Sequence, residues 1–152
     1  DVHNAAQRPL LVGGGVGVPP LYNLAKVLLA AGKRVGVVLG FNTADEVFYA
    51  DEFRALGCDV NLATADGSAG VRRFVTTAIA ECRPEFDYFY ACGPLPMLRA
   101  LCDAVQQDGQ LSFEERMGCG FGACMGCSCK TKYGNKRICK EGPVLTKGEV
   151  IW

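Results

Sequence analysis

The chain has 152 residues, equal numbers of basic and acidic side chains (16 each) and a mean hydropathy of +0.13. No apolar run is long enough to cross a membrane, and a neutral chain lacks the positive charge that a nucleic-acid surface requires. Nine cysteines, an odd number, do not fit a secreted disulfide framework. We therefore expect a cytoplasmic protein that has neither nucleic acid nor a membrane as a partner.

Strand and helix patterns alternate along the first 115 residues. Apolar runs predict strands at 9–12, 34–40, 58–63, 86–92 and 111–115. Helical spacing predicts helices at 18–31, 43–56, 71–82 and 97–105. This alternation predicts an α/β fold with a doubly wound, five-stranded parallel sheet. Beyond it we expect only a small hairpin over 130–139, turning at Gly134-Asn135.

A glycine-rich turn joins the first predicted strand to the first helix. Its sequence is Gly13-Gly14-Gly15-Val16-Gly17-Val18-Pro19-Pro20, so Pro20 stands where dinucleotide-binding loops usually have a third glycine. Glycines let a backbone approach a pyrophosphate, and the start of a helix offers free N–H groups. Because a purely structural turn can have the same composition, this loop alone is weak evidence.

Three other segments fall at carboxyl ends of predicted strands, where doubly wound sheets bind their ligands. They are Asn42, the loop that contains Asp66, and Cys92-Gly93-Pro94. A 2′-phosphate usually meets Arg or Lys near such strand ends, and we find none beside Asn42 or Asp66. The sequence therefore favours NAD(H) over NADP(H), although Asp66 is equally compatible with a plain turn residue.

The cysteines near the carboxyl end have the spacing C-x4-C-x2-C-x11-C. This is the plant-type pattern for a [2Fe–2S] cluster, with the ligands Cys119, Cys124, Cys127 and Cys139. Glycines between them permit the sharp bends that such a loop requires. Cys129 adds a fifth thiol, which we expect to point away. Two alternatives stay open: a four-thiolate zinc site in an interaction module, and a nucleotide-binding domain with a vestigial cysteine tail.

Together these motifs resemble a known family. Residues 13–20 and 90–98 resemble the nucleotide-binding motifs of the ferredoxin reductase family. Residues 114–127 and 139–144 resemble the electron-transfer subunit, an iron–sulfur flavoprotein, of bacterial class 1B dihydroorotate dehydrogenase. The resemblance implies that Cys119, Cys124, Cys127 and Cys139 hold the cluster, and that Gly15, Gly17, Cys92, Gly93 and Pro94 belong to the nucleotide site. The full predicted nucleotide site adds Gly13, Gly14, Pro20, Asn42, Asp66 and Met97.

The resemblance also implies a role. An FMN-containing catalytic subunit oxidises dihydroorotate in this family, and electrons pass through the cluster and FAD to NAD⁺ in pyrimidine biosynthesis. The two subunits form a heterotetramer, and this chain contributes no acid–base catalyst. We expect a linker (1–8) from a missing FAD-binding barrel, an NAD-binding domain (9–116) and a cluster-binding subdomain (117–152). Such a C-terminal fragment would be inactive alone.

A relative within the same fold is the alternative: the small subunit of a ferredoxin–NADP reductase or sulfide dehydrogenase. That group resembles this chain but has an aspartate as its first cluster ligand, where Cys119 stands here. One local departure from the expected family pattern is Arg72-Arg73, in a loop where we expect a smaller residue.

Overall fold

The computed structural model describes residues 2–152 and contains a twisted sheet with helices on both faces. The strands are β1 (Pro9–Gly14), β2 (Gly36–Phe41), β3 (Asp59–Thr64), β4 (Val71–Arg72), β5 (Tyr88–Cys92), β6 (Gly109–Ser112), β7 (Ser128–Thr131), β8 (Gly134–Arg137) and β9 (Val144–Thr146). The helices are α1 (Val18–Ala30), α2 (Ala50–Ala55), α3 (Val75–Cys82) and α4 (Leu95–Ala104). Within residues 2–152, no helix has the length and apolar character that a membrane span demands.

The predicted parallel sheet is confirmed. The strand order is β4-β3-β2-β1-β5-β6-β9, and every neighbouring pair is parallel except β6 and β9. The five predicted strands form its centre, while β4 and β9 extend its edges. The direction of winding reverses between β1 and β5, and a crevice opens at such a switch point.

Side chains of the sheet alternate between two separate cores. Along β1, Leu11 faces the helices α1 and α2, where it shares a core with Leu28 and Phe53. Val12 faces the opposite side, where Leu98 of α4 is also buried. Since both faces of the central strands are covered, these strands are nearly continuous apolar runs, as parallel sheets require.

Some predicted boundaries were wrong for identifiable reasons. The helix predicted at 71–82 begins only at Val75, because residues 71–72 pair with β3 and the N–H of Arg73 donates to Thr64 O at 2.8 Å. The helix predicted at 43–56 is split into a 3-10 turn at Ala44–Glu46 and the short α2. The fifth parallel strand occupies 109–112 instead of 111–115.

The hairpin is present, but its turn lies two residues earlier than predicted. Lys132 and Tyr133 form the turn, and Gly134 already belongs to β8. The side chain of Thr131 closes it: its hydroxyl donates to Gly134 O at 2.6 Å and accepts from the Tyr133 N–H at 3.2 Å. This side-chain hydrogen bonding fixes the turn position more strongly than the glycine does.

The cysteine-rich end is joined to the sheet by β9, which was not predicted. Leu145 of β9 pairs with Leu111 of β6, and the Phe113 N–H donates to Pro143 O at 2.9 Å. Leu145, Ile138 and Cys127 are buried in the same core as α3 and α4. The predicted domain boundary at 116/117 therefore divides the chain by expected function, because residues on both sides of it are buried in one core.

Residues 2–8 form no helix or strand, yet they are tied to the sheet. Lys33 Nζ donates to both Asn4 O and Asn4 Oδ1, at 2.9 and 3.0 Å. The Asp87 carboxylate accepts the backbone N–H groups of Gln7 and Arg8, at 2.7 and 3.0 Å. Of the predicted linker, Asp1 lies outside the described residues.

Candidate nucleotide cleft and iron–sulfur site

A cleft of about 440 Å³ opens above the carboxyl ends of β1, β2 and β3. It runs from the glycine-rich turn to the start of α3, with α4 along one side. Its walls include five of the residues predicted for the nucleotide site: Gly14, Gly15, Asn42, Pro94 and Met97. The position is the one at which doubly wound sheets bind nucleotides.

The glycines of the turn are required for different physical reasons. Gly15 has φ +52°, and a Cβ built on it would meet no atom within 4 Å, so it presents bare backbone to the cleft. A Cβ on Gly14 would lie 2.7 Å from Met97 Sδ, and one on Gly17 would lie 2.2 Å from Cys92 O. Gly15 therefore leaves room for a ligand, whereas Gly14 and Gly17 let the turn pack against the segment after β5.

Other predicted nucleotide residues lie around the cleft without lining it. Gly13 packs against Leu21, and Gly93 lies beneath the Met97 methyl group. The Asp66 carboxylate accepts the Ser68 N–H and hydroxyl at 2.9 and 2.6 Å, and these bonds hold the pKa of Asp66 below its usual range. Asp66 thus stabilises the turn after β3, and its part in nucleotide binding remains a prediction.

Pro20 and Cys92 line a second cavity of about 270 Å³, with Tyr90 and Ser112. It also touches Val144 of β9, so it lies between the nucleotide-binding turn and the cysteine-rich end. Burial raises the pKa of the Cys92 thiol, which is therefore held in its neutral form at neutral pH. The assignment of Pro20 and Cys92 to the nucleotide site stays a prediction.

Two charged residues in the cleft were missed from the sequence. Glu46 lies in the 3-10 turn after β2, and its Oε2 accepts the backbone N–H of Asn42 at 3.2 Å and its Nδ2 at 2.9 Å. In dinucleotide-binding domains, an acidic side chain shortly after the second strand accepts hydrogen bonds from the ribose hydroxyls, so the sequence could have identified Glu46. Arg73 was noted from the sequence only as a departure from the family pattern, because the helix predicted at 71–82 gave no reason to place its side chain in the cleft.

The four cysteines of the motif are arranged as two pairs. Contacts with Cys124 lower the pKa of Cys119, and contacts with Cys139 lower the pKa of Cys127, so the two members of each pair lie close together. Charge on Cys119 also acts on Cys139, so the pairs are neighbours. The loop between them bends at three residues with positive φ, namely Gly120, Gly122 and Met125.

Backbone N–H groups point at these sulfur atoms. Cys119 Sγ accepts from Ala123 at 3.2 Å and from Cys124 at 3.5 Å, while Cys127 Sγ accepts from Cys139 at 3.4 Å. Hydrogen bonds from the Cys124 and Phe121 backbone lower the pKa of Cys119 to about 6, and those from Cys139 lower the pKa of Cys127. Thiolates are the form that binds metal, and these hydrogen bonds favour that form at Cys119 and Cys127, whereas the neighbouring Cys127 raises the pKa of Cys139.

Two pairs of thiols fit a cluster with two irons, because each iron takes two protein ligands. Within residues 2–152, no three His, Cys, Asp or Glu side chains close around one ion position. The donor set and the N–H groups directed at sulfur match what a [2Fe–2S] cluster requires. Cys129 lies on β7, where burial raises the pKa of its thiol and the S–H group donates to Lys130 O at 3.8 Å.

Arg137 supports the cysteine loop from below. Its Nη1 donates to Gly122 O at 2.7 Å, and its Nε donates to both carboxylate oxygens of Glu141. This ion pair lowers the pKa of Glu141 to about 2 and raises that of Arg137. The loop residue Gly122 and the turn after Ile138, which carries Cys139, are therefore held by one side chain.

The fold and the two sites define an NAD-binding oxidoreductase domain that carries an iron–sulfur cluster-binding domain. Residues 11–103 match the description of the oxidoreductase NAD-binding domain, and residues 114–151 match the iron–sulfur cluster-binding domain of dihydroorotate dehydrogenase B. The chain belongs to the oxidoreductase NAD-binding domain family and carries at its carboxyl end the cluster-binding domain of the dihydroorotate dehydrogenase B family. The family resemblance inferred from the sequence motifs is thereby confirmed.

Similar proteins narrow this further. The electron transfer subunit of dihydroorotate dehydrogenase B (NAD(+)) from Lysinibacillus sphaericus is 53% identical over 93% of this chain and 56% of its own length. The same subunit from Fusobacterium nucleatum is 49% identical over 95% of this chain and 58% of its own length. This chain thus spans less than two thirds of these relatives.

Among solved structures, an NADH-dependent reduced ferredoxin-NADP oxidoreductase, described for flavin-based electron bifurcation, has a chain that is 34% identical with a TM-score of 0.84. The match covers 95% of this chain and 54% of that one. The family inferred from the motifs is therefore represented by similar sequences, and its alternative by a solved structure with the fold seen here.

Proposed function

We propose that this chain is the electron-transfer part of an NAD-dependent dihydroorotate dehydrogenase. Electrons from dihydroorotate oxidation pass through a [2Fe–2S] cluster and FAD to NAD⁺, a step of pyrimidine biosynthesis. The observation that carries this proposal is the pairing of four thiols in a loop that follows β6, two strands from the glycine-rich turn. The names of the two relatives described above support the choice of substrate.

The residues of the chain divide the work. Cys119 and Cys124 hold one iron, and Cys127 and Cys139 hold the other. Gly15 and the start of α1 bind the pyrophosphate of NAD(H), since bare backbone and free N–H groups attract phosphate. The bound groups supply the one-electron and hydride chemistry, so the protein provides position and potential rather than acid–base catalysis.

The second cavity is suited to the edge of a flavin ring. It lies beside β5 and β6, between the glycine-rich turn and β9, so a group within it stands between nucleotide and cluster. Its apolar walls exclude water, and Cys92 offers a neutral thiol there. We assign Cys92 and Pro20 to this contact between flavin and nicotinamide.

The partner is a catalytic subunit that contains FMN. Similar proteins are named as electron transfer subunits, which supports a separate protein that binds dihydroorotate. A heterotetramer in the cytoplasm is the assembly we propose.

The alternative is a subunit of a ferredoxin-NADP-type oxidoreductase, favoured by the 34% identical structure. The identity to the dihydroorotate dehydrogenase subunits is higher, at 53% and 49%. In addition, Cys119 completes a set of four thiolates, whereas the alternative group resembles this chain with an aspartate as its first ligand. Copurification with a dihydroorotate-oxidising partner distinguishes the two.

The test is anaerobic reconstitution of the chain with iron and sulfide, followed by metal analysis and visible spectroscopy. We expect about two irons per chain and the absorption of a [2Fe–2S] cluster. Cys119→Ser should lose most of the iron, while the matched control Cys129→Ser keeps it. A colourless protein with one zinc per chain, or equal iron in both variants, would contradict the cluster assignment.

The substrate is tested separately by mixing the reconstituted protein, FAD and the FMN-containing partner. Dihydroorotate should then reduce NAD⁺, with one orotate formed per NADH. If the cluster forms normally but takes no electrons from this partner, the result would favour the alternative, a subunit of a ferredoxin-NADP-type oxidoreductase.

A further inference from the structure

Arg73 has a backbone conformation that arginine rarely adopts. Its φ is +101°, in the left-handed half of conformational space that favours glycine. The surrounding loop enforces it: the Arg73 N–H donates to Thr64 O, and the buried Thr64 hydroxyl bonds both the N–H and the carbonyl of Ala69. Strained residues held in place by their surroundings concentrate at functional sites.

The side chains of the two neighbouring arginines take different directions. Arg72 packs over the turn at Gly67, where an added Cβ would lie 2.8 Å from Arg72 Cγ. Arg73 instead lines the nucleotide cleft. Within residues 2–152 its guanidinium takes part in no ion pair or side-chain hydrogen bond, so its donors are available to a ligand.

The position of Arg73 selects one end of the dinucleotide. It directly follows β4, three strands from β1, and with a strand spacing of about 4.8 Å this is on the order of 14 Å from the glycine-rich turn. The Arg73 side chain is too short to contact a pyrophosphate bound at Gly15, so it would contact the adenosine end of the dinucleotide. Phe74, 66% exposed in the same wall, offers a flat apolar face to an adenine there.

We propose that Arg73 binds the 2′-phosphate of a phosphorylated dinucleotide, so that the cleft accepts NADP(H) as well as NAD(H). Arginine donates in a planar fork that matches phosphate oxygens, and arginines near these strand ends accommodate 2′-phosphates in dinucleotide-binding domains. This inference rests on the proposed nucleotide site and extends its range of substrates.

Two acidic side chains near Arg73 reduce the preference for a 2′-phosphate but do not prevent its binding. Glu46 lines the same cleft, but its carboxylate already accepts hydrogen bonds from two N–H groups of Asn42, which partly offset its negative charge. Asp66 is likewise engaged with Ser68 and does not line the cleft. Glu46 reads the ribose hydroxyls of NAD(H), and Arg73 compensates when a phosphate replaces one of them.

The test compares two small ligands that differ only in the 2′-phosphate, 5′-AMP and 2′,5′-ADP, by isothermal titration calorimetry at low ionic strength. Arg73→Ala should weaken 2′,5′-ADP at least about tenfold and change 5′-AMP less than about threefold, as expected for one charge-assisted contact. Arg73→Lys should retain part of the affinity. Arg72→Ala, the matched control, should leave both ligands unchanged.

Arg73→Gly removes the same cation while relieving the backbone, so the same loss in this variant excludes misfolding as its cause. Equal weakening of the two ligands, or no binding of 2′,5′-ADP by the unaltered protein, overturns the inference. NADH affinity and iron content measured on the same samples separate this failure from failure of the proposed function. If NADH binds and the cluster forms, only the role of Arg73 is lost.

Discussion

Replacing Gly17 by alanine tests whether the nucleotide-binding turn is held by direct backbone contact. Gly17 has φ −74°, which any residue adopts, so conformational freedom does not explain the glycine. Space does: an added Cβ would lie 2.2 Å from Cys92 O and 2.4 Å from Cys92 C. Ordinary contacts are about 3.5 Å, so one of the two segments must move by about 1 Å.

Neither segment can move cheaply. Cys92 is the last residue of β5 and pairs with Gly13 on one side and Ser112 on the other. Overpacking costs about 1–3 kcal/mol where side chains can adjust, and the upper end applies to a clash with backbone. For a chain of this size, about 3 kcal/mol corresponds to a fall in Tm of roughly 6–12 °C.

Gly15→Ala is the matched control, and thermal unfolding monitored by circular dichroism is the assay. At Gly15 the added Cβ meets nothing, and only its φ of +52° is unfavourable, at about 1 kcal/mol. We therefore expect a Tm loss of roughly 2–4 °C but a large loss of NADH affinity, because the methyl group occupies the phosphate side of the turn. A Tm for Gly17→Ala within about 2 °C of the unaltered protein would refute this reasoning.

Three further outcomes follow from contacts already described. Arg137→Met should leave Tm nearly unchanged but speed the loss of iron to a chelator, because Gly122 O loses its donor; equal chelation rates would contradict this. Glu149→Gln should destabilise the protein by about 1–3 kcal/mol, since its buried carboxylate bonds Lys136 and the Thr146 N–H. Burial raises the pKa of Glu149, but these bonds outweigh it and leave the pKa below 4.5, so its contribution is complete above about pH 4.5 and is lost as the pH falls through the lowered value. In a denaturation series at decreasing pH, the gap between Glu149→Gln and the unaltered protein should therefore narrow. Cys92→Ala in the complete complex should slow NADH turnover, and unchanged turnover would remove Cys92 from the flavin contact.

The sequence predicted the sheet because its information there is local. The central strands β1, β2 and β5 are short apolar runs largely buried on both faces, and each helix between two strands has a marked period. The strand β9 carries no such signal: it has three residues, follows Gly142-Pro143, and exists because Leu145 completes the core beside Leu111. Pairing between segments distant in sequence decides such an edge strand.

The candidate site divides in the same way. The spacing of the cysteines is a local property, so the ligand set could be inferred before any fold was known. The side chain of Arg73 could not be placed in the cleft, since the course of its backbone depends on a hydrogen bond that the Arg73 N–H donates to Thr64 O, nine residues earlier. No basic residue lies beside Asn42 or Asp66 in the sequence, but the fold brings Arg73, the residue after β4, into the same cleft.

The attachment of the cluster loop bears directly on electron transfer. Cys119 follows β6 by only a few residues, and Cys139 is followed by β9, which pairs with the same strand. Both ends of the loop are therefore fixed to one edge of the sheet, and β6 lies next to β5, whose end contacts the nucleotide-binding turn through Gly17. Because the connection is made by sheet hydrogen bonds and a shared core, the distance from cluster to nucleotide is set by the fold. In the electron path that we propose, the cluster and the nucleotide are thus held at a fixed separation. A change that loosens β9 should slow electron transfer even when every cluster ligand is intact.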